Sequence, residues 1–166
     1  MKSMRFGEGL HISQVMELHD LVNVNHYAGY VHLDLANWVT FILTFGTVTS
    51  NATSDNLTVT VQSASINSTA VGTCVDFTYR LLSTLAGTNT AIAATAGTSD
   101  GVVLTSSDLV NAVLLIDVDP SVIAAKGETQ DWCAVWMDPG SSLAIYGTAL
   151  AVIEPRYPGA TTQSST

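Results

Sequence analysis

Positive charge is scarce in this chain. Five Lys plus Arg stand against 14 Asp plus Glu, a net charge of −9 over 166 residues. Affinity for a nucleic-acid backbone comes from cations that neutralise phosphates, so DNA and RNA are excluded as expected partners. Charge of either sign is in fact rare: 11% of residues are charged and 47% hydrophobic, where about 25% charged is usual. The outer surface therefore falls to Thr, Ser, Asn, Gly and Ala, or is covered in part by other protein chains. Long apolar runs are missing as well. The most hydrophobic piece, Trp38 to Phe45, carries Thr40 and Thr44 and is far short of the roughly 18 residues that a membrane helix needs. The first twenty residues, MKSMRFGEGLHISQVMELHD, contain Glu8, Glu17 and Asp20 and do not form the apolar core of a secretory signal. Cysteine is limited to Cys74 and Cys133, in separate segments and without CxxC spacing. Each reads as a small buried hydrophobe, with a disulfide or a reactive thiol as the other readings.

A single domain fits this length. Folding at this size removes about 70% of the surface that the unfolded chain exposes, so neither a metal nor a disulfide is required for stability. From Tyr27 onward the dominant period is two. Leu57, Val59 and Val61 fall on one side of a pleated strand and Thr58, Thr60 and Gln62 on the other, the pattern of a half-exposed strand. In Trp38 to Phe45 both faces carry apolar residues, which suits a central strand. Further strands are expected at Tyr30–Leu35, Thr73–Leu82, Ala91–Thr95, Val102–Thr105, Ala112–Val118, Trp132–Met137 and Leu143–Ile153, about nine in all, separated by turn-rich pieces such as SNATSDN and MDPGSS. This spacing predicts an all-β fold, an antiparallel β-sandwich of jelly-roll-like kind.

One short helix is expected in Asp119–Gly127, where a capping acid precedes Pro120 and Gly127 stands just beyond the last turn. Ile12, Val15, Met16, His19 and Val22 have helical spacing but no convincing cap, so an extended arm is an equal reading. The expected organisation is an N-terminal arm over 1–26, a sandwich over 27–158, and a small, polar C-terminal tail over 159–166 with nothing to bury.

The chemistry-bearing residues do not assemble into a known motif. His11, His19, His26 and His32 are spaced by 8, 7 and 6, which matches no zinc pattern. Asp117, Asp119, Asp131 and Asp138 lack the calcium-loop signature and read as turn material. There is no GxSxG, GxxxxGK[ST] or GxGxxG. No catalytic residue, metal site or cofactor is expected, and the chain is read as not an enzyme. Asn51, Asn56 and Asn67 head glycan-acceptor triplets that mean only exposed loops. Trp132 and Trp136 project from one strand face together with Ala134. They are either core or an aromatic patch that meets a partner, since Trp, Tyr and Arg dominate interface hot spots.

Three stretches resemble the capsid cement or decoration proteins of tailed bacteriophages. They are WVTFILTFGTV followed by LTVTVQSAS, then Val75-Asp76-Phe77-Thr78-Tyr79-Arg80, and the ending ALAVIEPRYPG; together they span about Trp38 to Gly159. The resemblance implies a virion protein on the outer face of the phage head, made in the bacterial cytoplasm. Its implied partners are the major capsid protein and copies of itself, as a trimer around local three-fold positions, with neither nucleic acid nor membrane. Arg80, Trp132, Trp136, Arg156 and Tyr157 are then the candidate interface residues. Pro155 and Pro158 stiffen the exit from the last strand, so that Arg156 and Tyr157 form a hook for a neighbouring subunit; the alternative is that Arg156 pairs within its own domain. Other readings are a head fibre or tail component, and a carbohydrate-binding sandwich module with Trp132, Trp136 and Tyr146 as its sugar platform.

Overall fold

The computed structural model describes residues 10–21, 25–49, 55–67, 72–82, 94–127, 130–140 and 143–156. Alternating apolar side chains produce two antiparallel sheets that face each other across one core. The strands are β1 (His11–Asp20), β2 (His26–His32), β3 (Ala36–Thr49), β4 (Asn56–Ala64), β5 (Thr73–Val75), β6 (Phe77–Leu82), β7 (Thr95–Gly97), β8 (Val102–Thr105), β9 (Val113–Val118), β10 (Trp132–Pro139) and β11 (Ala144–Pro155). The larger sheet has the order β1-β11-β3-β9-β6-β7, the smaller β2-β10-β4-β5, and β8 shares the β5 edge of β4.

β3 is central, between β11 and β9. Val39, Phe41, Leu43 and Phe45 are buried, while Thr40, Ile42 and Thr44 face outward on the opposite side of the pleat. On β11 the inward residues next to the three largest of these are small: Gly147 lies opposite Phe45, Ala149 opposite Leu43 and Ala151 opposite Phe41. Large against small lets the layer fill without voids. Each fully buried Phe, Leu or Ile contributes about 1.5–3 kcal/mol through removal from water. The smaller sheet supplies Leu57, Val59, Val61, Cys133, Val135 and Met137 to the same core.

The short helices sit at strand ends. In α2 (Pro120–Ala124) the Ser121 amide donates to Asp119 Oδ1 at 2.8 Å, and Ile123 is fully buried. This is the expected helix. A second, α1 (Ser106–Leu109), was not expected. Asp108 reaches back to accept from the Thr105 amide at 2.9 Å, but four residues are too few to display a helical period. Gly101, at φ +88°, closes the turn between β7 and β8. A Cβ there would meet Val59 O at 2.7 Å, so the position requires glycine.

Four expectations are corrected. The 1–26 arm reading fails over residues 11–20, which are edge strand β1 of the larger sheet, with Val15 and Met16 in the core. Register shifts between Gln14 and Met16, and between Met16 and His19, bury two adjacent residues, and so a bulged strand imitates the spacing of a helix. The Thr73–Leu82 strand is two strands, β5 and β6, which belong to different sheets on either side of Asp76. Among the described residues there are eleven strands, not nine. The polar side of β4 is not exposed at Thr60 and Gln62, which are buried for the reason given below. Of the Ala91–Thr95 strand only Ala94 and Thr95 are described, and Thr95 opens β7; the tail over 159–166 lies outside the described residues.

Candidate functional site

Three surface features stand apart from the core. The first is the outer face of the smaller sheet. Along β10, Trp132, Ala134 and Trp136 alternate with the inward Cys133, Val135 and Met137. Trp132 lies opposite His32 and Ala64, Ala134 opposite Gln62, and Trp136 opposite Tyr27 and Thr60. A register shift between Cys133 and Val135 in the β10–β2 ladder allows Tyr27 and Tyr30, three residues apart, to occupy the same outer face while Ala28 and Val31 join the core. Tyr30, Ala64 and Ala134 form a second buried cluster with Tyr27 and Trp132 packed against it.

The rings form two groups, Tyr30–Tyr27–Trp136 and His32–Trp132, joined by packing on the Tyr30, Ala64 and Ala134 cluster into one aromatic track. Centroids are 4.2 Å apart for Tyr27 and Trp136, 5.6 Å for Tyr27 and Tyr30, and 4.6 Å for His32 and Trp132. The Tyr27 hydroxyl donates to Gln62 Oε1 at 3.1 Å. This aromatic cover explains why Gln62 is only 4% exposed. Burial pushes the Tyr30 hydroxyl up to about 12, helped by Tyr27 beside it. Tyr27 is raised too, chiefly by burial. Under the same cover Thr60 Oγ1 is buried without a hydrogen-bond partner among the described residues.

The second feature is a pocket of about 390 Å³ at one end of the sandwich, where the β2–β3 turn, α2 and the entry to β10 converge. Asp34, Asn37, Asp119, Gln130, Asp131 and Arg156 line it. The Arg156 amide donates to Leu35 O at 2.7 Å and the Leu33 amide to Asp131 O at 2.7 Å, so backbone bonds fix the walls. His32 Nε2 lies 3.0 Å from Asp131 Oδ2. Gln130 Oε1 and Asp131 Oδ1 are buried and have no partner among the described residues. Asp131 is followed directly by Trp132, and His32 touches both, so the pocket adjoins the Trp132 end of the aromatic track.

The third feature is the outer face of the larger sheet. Ile12 pairs with Val152, Leu150 with Ile42, and Ile42 with Leu115, which makes a row of aliphatic side chains across four strands. Ile12, Trp38, Tyr146 and Leu150 are 44, 38, 53 and 37% exposed. Beside the row, Asp117 of β9 ties three strands together. Thr40 Oγ1 of β3 donates to its Oδ1 at 2.7 Å, and Arg80 Nη1 of β6 donates to its Oδ2.

These placements divide the sequence candidates. Trp132 and Trp136 share a face, as expected, and that face is neither inner core nor fully open. Arg80 belongs to the larger sheet, away from the two tryptophans, and is held there by Asp117 of the neighbouring strand. Arg156 lines the end pocket; among the described residues the ion pairs involve His32 and Arg80 and none involves Arg156. Tyr157 lies outside the described residues. Tyr146 is on β11, opposite Asp20, and so belongs to the other sheet from the two tryptophans it was grouped with. Cys74 faces outward next to Gln62 and Cys133 inward next to Ser63; both are free, and their opposite directions keep them from pairing. Among the described residues no group of three or more His, Cys, Asp or Glu is arranged to hold a metal, and no helix is long and apolar enough to cross a membrane.

Tyr27, Tyr30 and Gln62 were missed by sequence reasoning. Strict alternation puts Tyr27 and Tyr30 on opposite faces, and only the bulge unites them. No family model, curated protein or solved structure matches this chain.

Proposed function

We propose that this chain is a structural virion subunit without enzymatic activity, a cement or decoration protein that binds the outer face of a phage head and joins neighbouring capsid subunits. One observation carries the reading: the outer face of the larger sheet presents Ile12, Trp38, Tyr146 and Leu150 to solvent. Exposed apolar residues gathered on one face mark association surfaces. Sealing such a face against other subunits stabilises the assembly by about 25 cal/mol per Å² of apolar surface, and the symmetry of a lattice multiplies each modest contact. The low charge of the chain suits a surface that is covered more than it is solvated. Arg156, with its guanidinium free of carboxylate partners among the described residues, stays available to an acidic group on a neighbour. The resemblance of the WVTFILTFGTV, VDFTYR and ALAVIEPRYPG stretches to phage head proteins points the same way.

Mass spectrometry of purified particles from a phage that encodes the chain tests this. The expected result is a copy number that scales with that of the major capsid protein, and heads that burst at lower temperature when the chain is missing. A few copies per particle, co-purifying with tails or fibres, would favour a tail or head-fibre component. Equal robustness of complete and deficient heads would defeat the proposal.

A further inference from the structure

We infer that the aromatic track on the smaller sheet, together with the end pocket that adjoins it at Asp131, is a binding site for a neutral oligosaccharide. This goes beyond the assembly reading and uses the opposite sheet. The site combines what sugars need. A pyranose ring offers an apolar face of C–H groups, which settles on the electron-rich face of an aromatic ring, and a rim of hydroxyls, which need acceptors and donors in fixed places. Trp132 and Trp136 are half-buried and four residues apart on one strand, a separation of about 13 Å at the usual rise per residue. That is the length of a short oligosaccharide rather than a single ring. Small Ala134 lies between them and Gln62 flanks it, leaving the two indoles as separate stacking positions.

The pocket at the Trp132 end supplies the polar part. Gln130 Oε1 and Asp131 Oδ1 are buried acceptors with no partner among the described residues, and a buried acceptor left unpaired is costly. Both residues line the pocket and the Asp131 side chain is 45% exposed, so a small turn of either side chain brings its acceptor to a sugar hydroxyl. Asp131 is positioned for this by His32, 3.0 Å from its other oxygen. Three carboxylates, Asp34, Asp119 and Asp131, face one guanidinium, Arg156, in the lining. The excess of negative charge and of acceptors fits a ligand rich in hydroxyl donors and repels uronic or sialic acids. Rigid aromatic walls with a few fixed polar groups are the usual make-up of a ligand site.

Tryptophan fluorescence and titration calorimetry test the site. The probes are neutral hexasaccharides (β-1,4-glucan, α-1,4-glucan and β-1,4-linked N-acetylglucosamine) and an oligogalacturonate as the anionic control. A Trp38→Phe background removes the indole on the other sheet. At least one neutral probe is expected to shift the emission saturably, with the anionic control inert. Trp136→Ala and, with less risk to folding, Asp131→Asn should each weaken binding about tenfold or more, and Leu150→Asp should leave it unchanged. Absence of a response to every neutral probe at about 10 mM, stronger binding of the anionic control, or full binding by a Trp132→Ala, Trp136→Ala double variant would each overturn the inference. If the double variant instead lost only its incorporation into particles and no sugar bound, the face would be a protein contact and the inference would be wrong. Because Leu150→Asp probes assembly and Asp131→Asn probes sugar binding, failure of one proposal is separable from failure of the other.

Discussion

The two outer faces of this sandwich solve the same problem in different ways. Both are apolar for a surface, yet the smaller sheet folds its aromatic residues over one another while the larger sheet leaves its aliphatic row open. On the smaller sheet Tyr30 and Ala134 are as buried as core residues, and a polar chain from Tyr27 to Gln62 is sealed beneath. On the larger sheet Leu150 and Ile12 touch water and Asp117 builds a local network at one side of the row. Self-packed rings stabilise the chain that carries them. An open aliphatic row stabilises nothing until another surface covers it.

Mutations can break this contrast, and the largest effect belongs to the self-packed aromatic face. Tyr30→Ala removes a buried ring and should destabilise folding by about 3 kcal/mol in urea titrations; a cost below about 1 kcal/mol would mean that the cluster contributes little. Next is Arg80→Ala, which leaves the mostly buried Asp117 carboxylate with Thr40 alone. A loss of about 1–2 kcal/mol is expected, with partial recovery in Arg80→Lys. Leu150→Asp should change folding stability by no more than about 0.5 kcal/mol while it prevents incorporation into particles, and equal loss of both would erase the distinction between the faces.

Two smaller effects are read without particles. Burial holds the His26 imidazole below its ordinary 6.5, assisted by His19 and opposed by Asp20. The unfolded chain therefore takes up this proton first. Stability from this group is constant above pH 6.5 and declines as pH falls through 6.5 toward the lowered folded value. His26→Gln should flatten the slope of melting temperature between neutral and mildly acidic pH. The thiols give the finest comparison. Half-exposed Cys74 should react with a thiol reagent in the native chain, whereas Cys133, fully buried and with its thiol pushed up by burial, should react only on unfolding. Simultaneous reaction of both would show that the smaller sheet opens locally.

Much of the framework was legible in the residues. Val102–Thr105 was found with its bounds, and the alternation of Trp38 to Phe45 located the central strand. The Asp119-Pro120 start located α2, because an N-cap is local chemistry, whereas the helix ends at Ala124, short of the Gly127 stop. What escaped was non-local. Nothing near Thr60 or Gln62 announces that aromatic rings from β2 and β10 will bury them, and nothing near Asp131 announces the pocket that brings it together with Asp34 and Arg156. Tyr146 was grouped with the tryptophans because an outward aromatic on a strand carries no label for its sheet. The spacing of Val15 and Met16 misled because a bulge adds one residue to a period of two.

The sequence by itself determined the class of fold, the inward and outward sets of its regular strands, and a weakly charged composition. These follow from periodicity and composition, which act within a few residues. Only the tertiary structure decided which strands became neighbours, and hence that Tyr27, Tyr30, Trp132 and Trp136 share one face while Ile12, Leu150 and Tyr146 share the other. Pairing partners and bulge positions are chosen by the fit of whole sheets across the core, a cooperative property that no short stretch of chain contains.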